Sequence, residues 1–318
     1  MSNIDAPSLL DRFRGCLLGL AVGDAVGAPF EGLSSETIYR DFGPISRLIT
    51  HLELDEIQYT DDTQMTIGVC ECLLEKQSID ADYLAQRFKL NYDPGRGYGQ
   101  GVQTILDAMS RDEDWKHLVE TLFPGGSFGN GAAMRVAPIG LAFFDNAARL
   151  RSEAEESAKV THLHPLGIDG AVLIASAIAM LLQSRQFSTK EFFARLHDVA
   201  TTEEFQWQLI TAGRLGANEM ISFGSSLPAH RSVTTAITCF TCSPNSYMDT
   251  ISRAIALGDD TDTVAAIAGA LSGAYLGINA IPTHLLEKLE NGPKGRDYID
   301  RLANNLYLQF AMRRRHES

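Results

Sequence analysis

Two short acidic clusters, Thr60-Asp61-Asp62-Thr63 and Asp259-Asp260-Thr261-Asp262-Thr263, constrain this chain more than any other feature. They lie far apart in the sequence, and each opens directly into an apolar helical run. Carboxylates crowded in this way repel one another. Burying them unpaired costs on the order of several kcal/mol each unless a cation neutralises them. Every side-chain donor in both clusters is an oxygen, which suits hard cations such as Mg²⁺, Mn²⁺ or Ca²⁺. Acidic N-caps are the ordinary alternative, because Asp and Thr cap helices well. A second near-copy with vicinal carboxylates and hydroxyls favours two halves of one metal site. An EF-hand fails on spacing: the position that requires Gly is Ala265 or Val264, depending on the starting Asp. The site must therefore be assembled by folding.

The rest of the pattern is helical. Apolar runs with a period near 3.6 occupy about 8–28, 63–76, 80–90, 101–109, 131–143, 152–160, 167–184, 190–199, 204–220, 231–239, 247–256, 263–276 and 297–312. Pro and Gly breakers separate them, among them Pro94-Gly95, Pro124-Gly125-Gly126, Pro165, Pro228 and Gly292-Pro293. Hardly any segment alternates strictly enough for a strand. The expectation is an all-α globule whose central helices carry the acidic clusters at their N-termini. With 318 residues, 45% of them hydrophobic, and nothing resembling a linker, residues 1–318 are expected to form a single domain.

A net charge of −13 argues against direct nucleic-acid binding, and Arg313-Arg314-Arg315 reads as a solvated helix end. The five cysteines, an odd number in apolar settings, suggest reduced thiols and a cytoplasmic protein. Cys239-x-x-Cys242 lacks the second pair that a zinc site would need. Val264 to Ile281 is uncharged and carries Gly269, Gly273 and Gly277 at four-residue spacing, as a membrane helix can. Following directly on carboxylates, it reads instead as a buried helix packed closely on a neighbour. Cys16 to Gly23 resembles a short signal core, but Asp11 and Asp24 flank it, so it too reads as a buried helix and no membrane partner is expected.

Two glycine-dense loops, Arg96 to Gly101 and Gly125 to Gly131, lack the P-loop ending. Freed backbone N–H groups ahead of a helix would still cradle a diphosphate. Phe123 and Phe128 could stack a base or sugar, or could anchor the loop. Thr161-His162-Leu163-His164 offers two imidazoles that would point apart on a helix, which disfavours zinc. Glu31 sits in a Pro-Phe-Glu-Gly turn, a setting suited to a flap and equally ordinary on a surface.

Taken together these segments resemble the ADP-ribosylglycohydrolase family. The resemblance runs from Arg12-Phe13-Arg14-Gly15-Cys16 and Gly23-Asp24 through Tyr59 to Thr63, Arg96-Gly97-Tyr98-Gly99, Gly126 to Gly131, Ala133 to Ala137, Thr161-His162 and Gly258 to Thr263. Within the family it is most similar to the type 3, serine-directed subtype, including Thr234-Thr235-Ala236-Ile237. It implies an all-α orthogonal bundle with two Mg²⁺ ions, for which Mn²⁺ can substitute, held by Thr60, Asp61, Asp62, Asp260, Asp262 and Thr263. Glu31 would be the catalytic flap glutamate, with Asp61 and Asp62 beside it. Phe123, Gly126, Ser127, Phe128, Gly129, Asn130, His162 and Ile237 would contact ADP-ribose. Phe128 stands where the subtype has Tyr, and Asp259 replaces a Gly, which would add a carboxylate beside the metals.

The implied reaction is Mg²⁺-dependent cleavage of ADP-ribose from serine, extending to poly(ADP-ribose) and O-acetyl-ADP-ribose, by a monomer acting on ADP-ribosylated proteins or peptides. The ions would orient the ribose hydroxyls while Glu31 protonates the leaving oxygen or activates water. An arginine-type hydrolase of the same family and a non-catalytic ADP-ribose-binding protein remain as alternatives. Intact acidic clusters argue against the second.

Overall fold

Seven helices begin at a side chain that accepts a backbone N–H three residues on: Ser8, Ser34, Asp80, Asp114, Asn146, Ser188 and Ser246. At Ser8 the bond is reciprocal, because Asp11 reaches back to the Ser8 N–H and completes a capping box. The computed structural model describes residues 7–50, 55–184, 186–214 and 223–312. In chain order its α-helices are α1 (Leu9–Gly27), α2 (Ser35–Phe42), α3 (Ile45–Thr50), α4 (Asp61–Lys76), α5 (Ala81–Asn91) and α6 (Gln100–Ser110). There follow α7 (Trp115–Thr121), α8 (Ala137–Ala142), α9 (Ala147–Lys159), α10 (Pro165–Gln183), α11 (Thr189–Val199) and α12 (Glu203–Arg214). The last five are α13 (Ala229–Cys242), α14 (Tyr247–Ala256), α15 (Thr261–Leu276), α16 (Thr283–Lys288) and α17 (Arg296–Leu306). Among the described residues there is no strand, only three isolated bridges, Ser34 with Gly258, Ile57 with Leu289 and Gly129 with Pro228.

The core is built around the antiparallel pair α1 and α15. Small residues recur every four positions on both, so the backbones meet without side chains between them. A Cβ at Gly273 would lie 1.9 Å from the Gly15 carbonyl oxygen, one at Gly269 2.2 Å from that of Gly19, and one at Gly23 2.2 Å from that of Ala265. The last step of the stripe places Gly27 against Thr261 and Asp262. Here the Thr261 hydroxyl donates to the Gly27 carbonyl over 2.9 Å. The expected close packing of Gly269, Gly273 and Gly277 is thus present, and its partner is the first helix. α14, α13 and α10 pack around α15, and α17 and α4 pack against α1.

Two helical segments, Leu9–Phe30 and Pro165–Gln183, are long and apolar enough to cross a membrane, but 83% and 78% of their most apolar windows are buried inside the fold. Arg12, itself buried, caps the end of α10 by donating to the carbonyls of Leu181 and Ser184 over 2.8 and 3.2 Å.

The helical expectation was correct in type and incomplete in number. α2, α3, α7 and α16 went unread, because six to eight residues offering one or two buried side chains leave too little periodicity to detect. In the stretch 131–143 only Ala137–Ala142 is α-helical, and the residues before it form turns. Pro165 does not separate helices; it occupies the first turn of α10, where its missing N–H costs nothing. Residues 215–220 of the 204–220 run and Arg313 to Arg315 lie outside the described residues. All five cysteines are unpaired.

Candidate active site

The first acidic cluster starts α4 in an unusual way. Thr60 is the N-cap residue, yet its hydroxyl caps nothing. The capping is done from α1 by Asp24, which is wholly buried. Asp24 Oδ1 accepts the Thr60 N–H and hydroxyl over 2.9 and 2.8 Å, and Oδ2 accepts the Thr63 N–H over 3.0 Å together with the Thr63 hydroxyl. Because another residue satisfies the helix terminus, the Thr60 oxygen keeps its lone pairs for a different partner. Upstream, Arg96 fixes the approach to the cluster. It donates to the Tyr59 carbonyl over 2.6 Å, pairs with Glu290, and lies over the Tyr59 ring at 4.2 Å.

The second cluster begins α15, which the glycine stripe sets beside the end of α1. The Thr263 hydroxyl donates to Asp62 Oδ2 over 3.2 Å, which links the two clusters directly. Asn130 Nδ2 donates to Asp260 Oδ2 over 2.6 Å and to the Ser232 hydroxyl oxygen over 3.0 Å. Asp24, Asp61, Asp62, Asp260 and Asp262 are thus buried in one region. Burial, with the charge of Asp262 adding to it, raises Asp24 to about 7 against the hydrogen bonds from Thr63 and Thr60. Burial and then the charge of Asp260 raise Asp262 to about 7. Asp61 and Asp62 are driven well above the carboxylate range, first by burial and then by their acidic neighbours. Asp260 is also raised by burial, against a hydrogen bond shared with Asp262 and one from Asn130.

This charge needs an external partner. Asp62 Oδ1 is buried with no hydrogen-bond partner, and no Lys or Arg is ion-paired to any of these five carboxylates among the described residues. The donor set is oxygen throughout, so its chemistry and charge fit a hard divalent cation. Among the described residues no three His, Cys, Asp or Glu side chains converge tightly enough to hold an ion as they stand. The fit is therefore one of chemistry and charge, not of a finished coordination sphere.

Facing the carboxylates is a cavity of about 290 Å³. Its lining includes Asp61, Asp260, Asp262 and Thr263 from the acidic clusters, Gly97, Gly99 and Gly101 from the first glycine loop, and Ser127, Gly129, Asn130 and Gly131 from the second. Phe123 lies at its edge with its ring against Gly101, where a Cβ would come within 2.7 Å of it. Both glycine loops thus face one space, as a diphosphate cradle requires. His162 is buried behind the second loop, and burial followed by the charge of Arg135 lowers it to about 3, so it is a neutral imidazole.

Glu31 also lines the cavity, with its carboxyl raised by partial desolvation and by the charge of Asp262. Its turn is not a free flap. The Gly32 N–H donates to the Asp259 carbonyl over 2.8 Å, and the Asp259 N–H donates to that of Leu33 over 2.8 Å. Asp259 adopts φ +68°, a left-handed conformation that favours Gly and that Asp tolerates. The expectation of an added carboxylate beside the metals is corrected here. The Asp259 side chain is exposed, and its backbone tethers the Glu31 turn.

Several expected contacts do not reach the cavity wall. Ile237 is fully buried within α13. Phe128 is half exposed and packs edge-on against His164 at 5.8 Å. Gly126, at φ +88°, is pressed against the backbone of Leu163 and His164. Half-buried Thr60 and fully buried Asp62 are not among the residues that line the cavity. His162 and His164 diverge as expected, although from a turn rather than a helix, and His164 caps α10. Sequence reasoning missed Asp24 and Arg135 as parts of the site. The signal for Asp24 was a lone carboxylate within an apolar helix, which must find partners when buried.

The helical architecture and this acid-and-glycine cavity define the class: residues 5–316 match the ADP-ribosylglycohydrolase family, and the chain is an enzyme of that family. It is 34% identical over 357 residues to "ADP-ribosylhydrolase ARH3" of Danio rerio, covering 97% of this chain and 93% of that protein. The corresponding protein of Homo sapiens is 33% identical over 350 residues, covering 95% and 94%. "ADP-ribosyl-[dinitrogen reductase] glycohydrolase" of Rhodospirillum rubrum is 29% identical, covering 89% and 92%. A solved structure, "ADP-ribosylglycohydrolase-related protein complex", superposes with a TM-score of 0.74 at 26% identity, covering 94% of this chain and 98% of that one.

Proposed function

We propose that this enzyme is a Mg²⁺-dependent hydrolase that releases ADP-ribose from O-linked serine on proteins or peptides. The observation that carries this reading is the set of buried, mutually repelling carboxylates, Asp61, Asp260 and Asp262 among them, lining the same cavity as the glycine loops. Two Mg²⁺ ions, or Mn²⁺, would be held by Thr60, Asp61, Asp62, Asp260, Asp262 and Thr263. When bound, they would supply Lewis acidity and a template for ribose hydroxyls. The chain's own groups account for the rest. Backbone N–H groups of the two glycine loops receive the diphosphate, and Phe123 covers the nucleoside end. Asn130 holds Asp260 in register. Glu31, its carboxyl raised, is suited to give a proton to the leaving oxygen as the glycosidic bond breaks through an oxocarbenium-like state. The similarity to proteins named ADP-ribosylhydrolase ARH3 supports hydrolytic release of ADP-ribose, and the resemblance of Arg96 to Gly99 and Gly126 to Gly131 to the type 3 subtype favours the serine-directed form.

The test is to incubate the protein with serine-linked and arginine-linked ADP-ribosyl peptides, each with Mg²⁺ and with EDTA. Release from the serine peptide in Mg²⁺ alone is expected. Release from the arginine peptide alone would assign the other linkage, and full turnover in EDTA would remove the metal.

A further inference from the structure

The Thr161 hydroxyl lies between a buried guanidinium and the imidazole at the cavity. Arg135 Nη2 is 2.8 Å from Thr161 Oγ1, which is 2.7 Å from His162 Nδ1. A guanidinium only donates, so the Thr161 oxygen is the acceptor on that side. Its own hydroxyl proton then requires an acceptor, and among the described residues the polar atom in reach is His162 Nδ1. Were Nδ1 protonated instead, a buried hydroxyl proton would have no partner, the arrangement that buried polar groups avoid. We infer that Arg135, acting through Thr161, holds His162 as its Nε2–H tautomer, so the cavity meets a fixed hydrogen-bond donor and not a base.

The free edge of the ring points the right way. His162 lines the cavity, and its Nε2 makes no hydrogen bond among the described residues. Gly129 and Gly131 leave that edge uncovered. A Cβ at Gly131 would come 2.9 Å from Cε1 and 3.3 Å from Nε2, and one at Gly129 3.4 Å from Nε2. Neither glycine has positive φ, so at Gly131 it is space and not conformation that requires glycine, whereas a Cβ at Gly129 would only touch the ring. The arrangement also gives Arg135 a purpose. It is wholly buried without an ion-paired carboxylate among the described residues. It donates to the Ser157 carbonyl over 3.0 Å and lies over the Phe88 ring at 4.8 Å. Arg135 and Thr161 are positioning residues, and the group that His162 selects is an acceptor oxygen. If the cavity holds ADP-ribose as proposed above, that oxygen belongs to the diphosphate or to a ribose hydroxyl. A neutral imidazole donating from Nε2 cannot accept the proton of attacking water there.

The experiment is a long-range ¹H–¹⁵N correlation on histidine-labelled protein at neutral pH, with the His162 signals assigned through His162→Gln. A protonated Nε2 and a bare Nδ1 are expected in the wild type. A protonated Nδ1 or an imidazolium would overturn the inference, and this measurement needs no variant of the relay. Thr161→Val should release the tautomer into a mixture and weaken ADP-ribose binding about fivefold to tenfold, with Thr161→Ser restoring both. A tautomer unchanged in Thr161→Val would overturn the role of Arg135 and Thr161. A fixed Nε2–H signal that does not move when ADP-ribose is added would uphold the relay and refute the ligand proposed for the cavity.

Discussion

Replacing Gly273 with Ala places a Cβ 1.9 Å from the Gly15 carbonyl oxygen and 2.4 Å from its carbon. Ordinary contacts begin near 3.4 Å, so one backbone must retreat by about 1.5 Å, and no rotamer change can relieve backbone against backbone. Overpacking of this kind costs roughly 1–3 kcal/mol, and two rigid helices put it at the upper end. For 318 residues the unfolding entropy is roughly 0.7 kcal/mol/K, so a loss of about 3 kcal/mol should lower Tm by about 4–5 °C. Gly170→Ala on α10 is the matched control. Its Cβ would meet only side-chain atoms, at 3.3 Å or more, and helix propensity favours Ala by roughly 0.5–1 kcal/mol. Thermal unfolding followed by circular dichroism, with spectra matched at 20 °C, checks both. Gly23→Ala, beside Asp24 and with its Cβ 2.2 Å from the Ala265 carbonyl oxygen, should also weaken ligand binding. Gly273 lies about 15 Å along α15 from Thr263, so its variant should retain most of that binding. A Gly273→Ala protein melting within about 1 °C of wild type, or a control that falls equally, would refute the backbone-contact argument.

EDTA should abolish turnover and Mg²⁺ or Mn²⁺ restore it, while Asp61→Ala stays folded and loses most activity; an Asp61→Ala enzyme as active as wild type would contradict the site. Glu31→Gln should lower kcat by about 10² or more and change ADP-ribose affinity by less than about tenfold, as calorimetry can show. ADP-ribose should raise Tm more than AMP at equal concentration, because AMP lacks the distal ribose, and equal shifts would mean that only the adenylate end is read. In EDTA, the buried carboxyls at Asp24 and Asp262, raised to about 7, bind protons more tightly folded than unfolded. Their stabilisation is present below the unfolded value near 4 and is lost as pH rises through about 7. Tm in EDTA should therefore fall from about pH 5 to 8 and recover with Mg²⁺ at pH 8; a flat profile in EDTA counts against the buried cluster.

Charge and spacing made the acidic halves of the site legible, because vicinal carboxylates ahead of apolar helices have few stable alternatives. The spacing of Gly269, Gly273 and Gly277 likewise announced a close helix contact. Its partner was not read, although Gly15, Gly19, Gly23 and Gly27 repeat at the same interval, because a single sequence does not say which stripe meets which. In the sequence Asp24 interrupts an apolar run and belongs to the family-like Gly23-Asp24 segment, but neither feature assigns it a role, since its function lies in bonds to Thr60 and Thr63 on another helix. Arg135 falls in the Ala133 to Ala137 segment yet carries no assigned role there for a similar reason: its importance comes from Thr161 and His162. Ile237 shows the opposite error, a motif position that the fold turns into its core.

The pairing of α1 with α15 also sets a timetable. A ribosome delivers the Asp61 half of the site early and the Asp260 half only near the end of the described chain. Until then the glycine-lined face of α1 has nothing to rest against, and the apolar run around it stays open to solvent. Contacts this distant in sequence form slowly, and intermediates that await them are prone to aggregation. A nascent chain halted before residue 259 would carry the first acidic cluster alone, no α15 to meet the glycine stripe of α1, and only Asp61 of the acidic residues that the two clusters bring to the cavity. Catalytic competence in this architecture therefore arrives all at once, with the fifteenth helix, and a chaperone that shields α1 meanwhile would be expected to raise the yield of active enzyme.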